Sequence, residues 1–383
     1  MSCERPLIRV YNPNDHNITG SIMTLEKYRE RAHNPAATYE SLAYRKDVML
    51  LPCGKCLGCR LRQRQDWETR MLMESKTLTP AWFFTLTWNQ EYVPGMIRST
   101  GELIRGAVHQ WTTGDAPEVV QILLQEDMVL FNKRLRKKQE MSNKWGTDLR
   151  YFYCGEYGET TGRPHHHAIY YGLEIPDLKK KRGNNPYFES ETIDKIWGMG
   201  NVIIAEASPE TMAYVAGYVT KKAYGNDAKR YNELGLPAPY CCMSRNPGLG
   251  YDYYQEHKEQ MYKDDGLYFN GKKRPIPRYF DKMQETENPK RLWEVKEKRQ
   301  SSAINALKVK MSNTDVTIEQ QGKIKEKNLR ERFEVKMLLY RADTSWGGLP
   351  PEISTDTVVM TNKDKNDCSV NHCLSTKMVT QAK

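Results

Sequence analysis

The chain has 383 residues, 58 Lys and Arg against 48 Asp and Glu, a net charge of +10, and 39% hydrophobic residues. That composition excludes a wholly disordered chain, and no apolar run approaches the roughly 18 residues of a membrane span. Glu4 and Arg5 stand where a signal peptide would carry its apolar stretch, and nine cysteines are too few for a disulfide scaffold, which points to metal ligands or isolated thiols in a reducing compartment. A pI near 9.0 favours nucleic acid or an anionic surface as partner.

In chain order, Cys53, Cys56 and Cys59 come first, as C-x2-C-x2-C. Three soft ligands leave a tetrahedral zinc site one short, and Cys3 is the candidate fourth; an iron–sulfur cluster is the lesser option because the run lacks its usual Cys-Pro. AWFFTLTWN (residues 81–89) reads as a strand. Val120, Leu124, Met128, Phe131 and Leu135 recur at three- and four-residue steps and predict an amphipathic helix. That helix carries a basic cluster, Lys133, Arg134, Arg136, Lys137 and Lys138, and KKKR (residues 179–182) and KKRPIPR (residues 272–278) are two more. Each is either a solvated end or a set of contacts to nucleic-acid phosphates.

LRYFYCGE (residues 149–156) and HHHAIYYG (residues 165–172) flank the turn-forming YGETTGRP and predict a hairpin. A short helix over 191–197 and a β-branched strand, NVIIAE (residues 201–206), follow. Ser208 then caps a helix with Pro209 at its first position, running to about Ala223. The resulting order is β-α-β-β-α-β with an extra helix: an α+β fold of the ferredoxin-like, split βαβ kind, in which the second hairpin strand lies beside the first strand. A Cys-rich segment precedes it, and from about residue 288 the chain turns Lys/Glu-rich and helical, ending in a polar tail after Pro351. The expected division is 1–79 with the Cys cluster and a basic helix, 80–230 as core, 231–287 as a basic, aromatic extension packed on it, and 288–383 as the charged, helical, partly flexible C-terminal region.

Two constellations carry chemistry. Alternation along a strand sends His165 and His167 to one face and His166 to the other. Two imidazoles on one face can bind a single metal ion, and pairing the hairpin about its turn sets Glu156 opposite His165 as a third ligand, with Glu159 a weaker candidate in the turn. On the last helix Tyr214 and Tyr218 are four apart and share a face, with Lys221 and Lys222 one turn further. A tyrosine beside a lysine and near a divalent metal is a nucleophile toward a phosphodiester. Tyr218 is favoured to attack first, because the lysines lie three and four positions beyond it. The residues alone therefore indicate metal-dependent phosphodiester chemistry on a basic protein. The alternative is a non-catalytic single-strand-binding or packaging protein with a structural zinc site.

PHHHAI, the upstream FFTLTWN and the downstream YVAGYVTKK resemble, in that order, the two-tyrosine class of His-hydrophobic-His (HUH) rolling-circle endonucleases. LPCGKCLGCRLRQRQDW, GEYGETTGRPHHH and MSRNPGLGYDYYQEHK resemble the replication initiators of gokushovirus-type microviruses, small circular single-stranded DNA phages. The likeness spans about residues 3–279, and His166 stands where the general motif has a bulky apolar residue. It implies an HUH endonuclease fold over the core and Mg²⁺ or Mn²⁺ at the histidines. It also implies single-stranded origin DNA as substrate, a 5′-phosphotyrosine link, and a free 3′-OH for the host polymerase and helicase, in the cytoplasm of a bacterial host and away from membranes. A plasmid initiator or transposase would share that chemistry.

Overall fold

The computed structural model describes residues 3, 5–11, 20–45, 47–106, 118–141, 148–158, 162–183, 185–221, 231, 233 and 235–343. Near the start, β1 (Leu7–Val10), β2 (Ile22–Met23), α1 (Leu25–Arg31), α2 (Tyr39–Ala43) and β3 (Val48–Leu51) build a small module whose antiparallel strands run in the order β2-β1-β3. Thr24 and Thr38 begin its helices by accepting hydrogen bonds from the backbone of Lys27 and Ser41. Ile8, Met23, Leu25, Leu42 and Val48 fill its core. Helix α3 (Leu57–Thr77) follows, with Cys56 at its N-cap.

The next strand, β4 (Ala81–Thr87), belongs to the main sheet, whereas β5 (Pro94–Ile97), β6 (Leu103–Arg105) and β7 (Val119–Gln121) form a separate three-stranded sheet. Helix α4 (Gln125–Glu140), β8 (Arg150–Tyr157), β9 (Pro164–Tyr171), β10 (Lys179–Lys180), β11 (Tyr187–Glu189), α5 (Glu191–Trp197), β12 (Val202–Glu206), α6 (Pro209–Lys221) and β13 (Tyr240–Met243) complete the central part. Among the described residues the main sheet has seven strands, in the order β10-β11-β12-β4-β9-β8-β13. All neighbours are antiparallel. Its inner run β12-β4-β9-β8 is the interleaved order expected of β-α-β-β-α-β, with β9 held between β4 and β8.

One expectation needs correction. Val120 is not on the α4 helix: it lies in β7, paired with Met96, and the helix starts at Gln125. The β-branched pair Val119 and Val120 adds a strand to β5, so the four-residue spacing from Val120 to Leu124 is coincidental.

Burial on both faces explains why β8 and β9 are apolar almost throughout. On one face, Met128, Phe131 and Leu135 of α4 and Ile193 and Trp197 of α5 pack on Phe84, Leu86, Ala168, Tyr170 and Ile204. On the other, α6 and α3 bring Val215, Ala216, Val219, Met71 and Leu72 against Phe83, Phe152, Ile169 and Tyr171. Each fully buried aliphatic or aromatic side chain is worth about 1.5–3 kcal/mol, so the two layers fix which way every residue of β9 points.

Beyond the sheet, α7 (Tyr251–Asp264), the hairpin β14 (Leu267–Phe269) and β15 (Lys272–Arg274), and helices α8 (Arg278–Glu287), α9 (Pro289–Ser312) and α10 (Ile318–Asp343) follow. Tyr254, Met261, Phe280 and Leu292 share a third core with Met73 of α3. Helix α10 returns to the N-terminal module: Glu326 accepts a hydrogen bond from the Leu57 backbone at 3.0 Å, and the Ile318 backbone donates to Glu40. Among the described residues no helix is long and apolar enough to cross a membrane. Glu159, Lys222, Cys368, Cys373 and the tail after Pro351 lie outside the described residues.

Candidate active site and metal centres

The strand register assembles the first site. Along β8 and β9, Glu156 pairs with His165, Gly155 with His166 and Cys154 with His167. Glu156, His165 and His167 therefore share the face covered by α6, while His166 enters the opposite layer. One Glu156 oxygen lies 3.1 Å from Nε2 of His165 and 3.5 Å from Nε2 of His167, and the three ligand atoms lie within 4.8 Å of one another.

Neighbours fix both rings. His165 donates through Nδ1 to the Arg163 carbonyl at 3.1 Å, and Nδ1 of His167 meets the Thr85 hydroxyl at 3.0 Å. His167 is also stacked between Phe83 and Tyr218, with centroids 5.6 and 5.7 Å away. Orienting one nitrogen leaves the other aimed at the shared centre, the usual arrangement behind a metal-binding histidine. The donor set of two imidazoles and a carboxylate fits a divalent cation. Sequence reasoning passed over Phe83 and Thr85, although the alternation in FFTLT puts both on the His167 face.

His166 lies fully buried on the far side, its Nε2 2.6 Å from the Tyr240 hydroxyl and its ring edge-on to Trp88. Burial holds it neutral by lowering its pKa well below the ordinary value, with the nearby histidines adding to the effect. Glycine is required opposite it: a Cβ on Gly155 would come within 2.8 Å of the Tyr240 ring and 3.1 Å of His166.

Ser208 and Thr211 fix the start of α6 by reciprocal hydrogen bonds, Thr211 N to Ser208 Oγ at 3.3 Å and Ser208 N to Thr211 Oγ1 at 2.8 Å. Tyr214 and Tyr218, one turn apart, then face His167. The Tyr214 hydroxyl is 3.4 Å from His167 Nε2, and the Tyr218 hydroxyl donates to that of Tyr214. Burial, and after it the charge of Glu156, pushes the Tyr218 phenol well above its ordinary pKa. Lys221 ends α6, one turn beyond Tyr218.

The second site lies at the head of α3. Cys3, Cys53, Cys56 and Cys59 bring their four sulfurs within 4.8 Å of one another. Cys53 and Cys59 are 4.0 Å apart and Cys3 and Cys56 3.9 Å, close to the edge of about 3.8 Å in a tetrahedron with metal–sulfur bonds of ~2.3 Å. Backbone N–H groups of Cys53 and Cys56 donate to the sulfurs of Cys3 and Cys53 at 3.2 and 3.4 Å. Hydrogen bonds with Cys56 and Cys59, and then burial, hold the Cys3 thiol well above its ordinary range. A cation among the sulfurs would reverse that preference, and the four thiols fit a soft metal.

The basic cluster does not join either site. Lys133, Arg134, Arg136, Lys137 and Lys138 are exposed on α4, which covers the face of the sheet opposite the histidine pair. Cys241 and Cys242 lie on the edge strand β13, apart from the four-cysteine group.

A family model for the replication-associated protein ORF2 matches residues 81–223, from the start of β4 to just past α6. Replication-associated protein ORF2 of Spiroplasma virus 4 is 32% identical over 272 residues, covering 67% of this chain and 75% of that protein. Replication-associated protein VP4 of Bdellovibrio phage phiMH2K is 28% identical over 251 residues, 63% of this chain and 70% of the relative. For replication-associated protein ORF4 of Chlamydia phage 1 the figures are 26% over 238 residues, 60% and 52%. No solved structure matches the chain. The family match and these relatives together place the chain in the replication-associated protein ORF2 family of phage rolling-circle replication initiators.

Proposed function

We propose that the protein is an HUH-type nicking and joining enzyme that starts and ends rolling-circle replication by cutting single-stranded origin DNA with a tyrosine. The observation that carries this reading is the convergence of Tyr214 and Tyr218 on the Glu156, His165 and His167 cluster, with one hydroxyl 3.4 Å from a ligand nitrogen. The phenol oxygen attacks the scissile phosphorus and the bond to the 3′ oxygen breaks. The products are a 5′-phosphotyrosine ester and, once the phenol proton has passed to the leaving oxygen, a 3′-OH. Mg²⁺ or Mn²⁺ held by Glu156, His165 and His167 would act as a Lewis acid toward the nonbridging oxygens.

His165 and His167 are held through their Nδ1 atoms, so the cluster needs little reorganisation. Tyr214 and Tyr218 reach it from one helical face, and a strand esterified to one leaves the other for the second cleavage that termination requires. Lys221 and Lys222 follow the tyrosines and support the phosphate charge. Attack of the 3′-OH on the phosphotyrosine rejoins the strand and returns the phenol. Cys3, Cys53, Cys56 and Cys59 would hold a structural Zn²⁺ whose binding energy goes into folding. The protein acts inside the bacterial host, where polymerase and helicase use the 3′ end. Mixing it with single-stranded phage origin DNA and Mn²⁺ tests the reading: a shifted, protease-sensitive DNA band supports it, and tight binding with no covalent product leaves only a DNA-binding protein.

A further inference from the structure

Helix α3 lies along α6, and the closest approach of one side chain falls on the tyrosine helix itself. The guanidinium of Arg64 sits over Gly217: its Cζ and Nε are each 3.9 Å from where a Cβ on that glycine would stand. Gly217 is in the same helical turn as Tyr214 and Tyr218, so a large cation lies beside the two hydroxyl-bearing side chains. A bulkier residue at 217 would stand between the guanidinium and anything bound along α6.

The charge of Arg64 is poorly compensated. Among the described residues it makes no hydrogen bond or ion pair. The one carboxylate that supports it is Glu68, a turn further along α3, and Glu68 is already paired with Arg274 at 2.8 Å. Arg64 is partly buried, and burial depresses its pKa, the direction that marks a cation short of a counter-ion. The neighbouring arginine Arg70, by contrast, is held between the Trp67 and Tyr279 rings and donates to the Leu249 carbonyl at 3.0 Å. Arg70 has a structural task; Arg64 has none in the protein alone.

We propose that Arg64 binds a backbone phosphate of the single-stranded DNA beside the tyrosine being esterified, holding the strand along the α3 and α6 edge. This rests on the tyrosine reading above. A guanidinium can offer two parallel N–H groups to two nonbridging oxygens of one phosphate, which fixes orientation as well as charge, whereas a lysine supplies a point charge alone. Glycine at 217 keeps the helix surface low enough for the strand to reach it.

The test is the salt dependence of binding, by the full-length protein, of a fluorescent single-stranded oligonucleotide. Each phosphate contact on a single strand contributes about 0.7 to the slope of log K against log salt. Arg64→Gln should therefore lower that slope by about 0.7 and weaken binding roughly five- to tenfold near physiological salt. Arg64→Lys should keep the slope with a smaller loss of affinity, and Gly217→Ala, whose methyl meets nothing closer than 3.9 Å, should match the wild type. If Arg64→Gln fails to fold, Gly217→Glu sets a carboxylate against the guanidinium from the other helix and should give the same loss of slope. Inorganic phosphate at the same ionic strength should compete weakly; competition as strong as that of the oligonucleotide would mean a free-phosphate site instead. An unchanged slope in folded Arg64→Gln or Gly217→Glu overturns the assignment. If those proteins still form the covalent adduct, only Arg64 is wrong; absence of adduct in the wild type removes the reading beneath it.

Discussion

The Tyr214 hydroxyl lies 3.4 Å from Nε2 of His167, so a residue of the last core helix touches the centre of a strand nearly fifty positions earlier in the chain. Phe83 and Tyr218 stack on the two sides of the same imidazole. The nucleophile candidates and the metal-ligand candidates are thus one packed unit, and variants of either should be read together.

The two ligand histidines should differ sharply from the one between them. Replacing His165 or His167 with Ala should abolish metal-dependent nicking with the fold retained, since losing one of three protein ligands removes most of the metal affinity. His166→Leu leaves the Tyr240 hydroxyl without its partner and should cost about 1–3 kcal/mol of stability, with activity per folded molecule close to wild type. Melting curves beside single-turnover nicking separate the two effects. An indispensable His166 with a dispensable His167 would reverse the assignment.

Much of this site was legible in the sequence because a strand has a period of two. HHH in a strand can put only its first and third members on one face, and the turn length sets Glu156 against His165. What could not be read was which layer covers which face. The basic run on α4 reads as a companion of the active site in one dimension, yet α4 packs its Phe131 and Leu135 against the far side of the sheet. The strand at Val119–Gln121 was hidden for a similar reason: three residues carry no period of their own, and only pairing with β5 makes them a strand. Cys3 as fourth ligand was inferred by count, while its closeness to Cys56 depends on the fold of β1 and β3.

Placement on the far face changes what the basic cluster should do. Neutralising Lys133, Arg134, Arg136, Lys137 and Lys138 together should weaken binding of long single strands to all sequences alike and flatten the salt dependence. Nicking of an oligonucleotide too short to pass around the sheet should be unaffected. A selective loss at the origin, measured by competition between origin and scrambled strands, would show that the cluster reads bases.

Zinc should be present at one ion per chain in protein purified without chelator, and Cys3→Ser or Cys56→Ser should lower the content. Because the cluster sits beside the contact between Leu57 and Glu326, stripping the metal should lower the melting temperature and expose α10 to protease. Unchanged zinc in Cys3→Ser, by elemental analysis, would remove that residue from the site.

Asp66 supplies a pH signature. Burial raises its pKa from 3.8 to about 6, against the pull of Arg62 and of the Arg278 backbone N–H. A carboxyl raised on folding binds its proton more tightly in the folded state, so its favourable contribution is complete below pH 4 and is lost as pH climbs toward 6. Asp66→Asn should therefore be more stable than wild type at pH 7 by about 1–3 kcal/mol, and the gap should close below pH 4. Denaturant unfolding at the two pH values measures it; a constant gap would show that the carboxyl is not held protonated by burial.

Either single substitution, Tyr214→Phe or Tyr218→Phe, should leave some nicking of short origin strands while blocking repeated rounds on a circle. One tyrosine cannot both carry the 5′ end and make the second cut. Full turnover by Tyr214→Phe on circular template would reduce the site to a single nucleophile and Tyr214 to packing against Phe83.

The most direct measurement is covalent capture. Labelled single-stranded origin DNA is incubated with protein and Mn²⁺, denatured, and resolved with and without protease. The wild type should give a protease-sensitive adduct that disappears with chelator, and the Tyr214→Phe, Tyr218→Phe double variant should give none. Undiminished adduct in the double variant, or none from the wild type with metal present, would contradict the account.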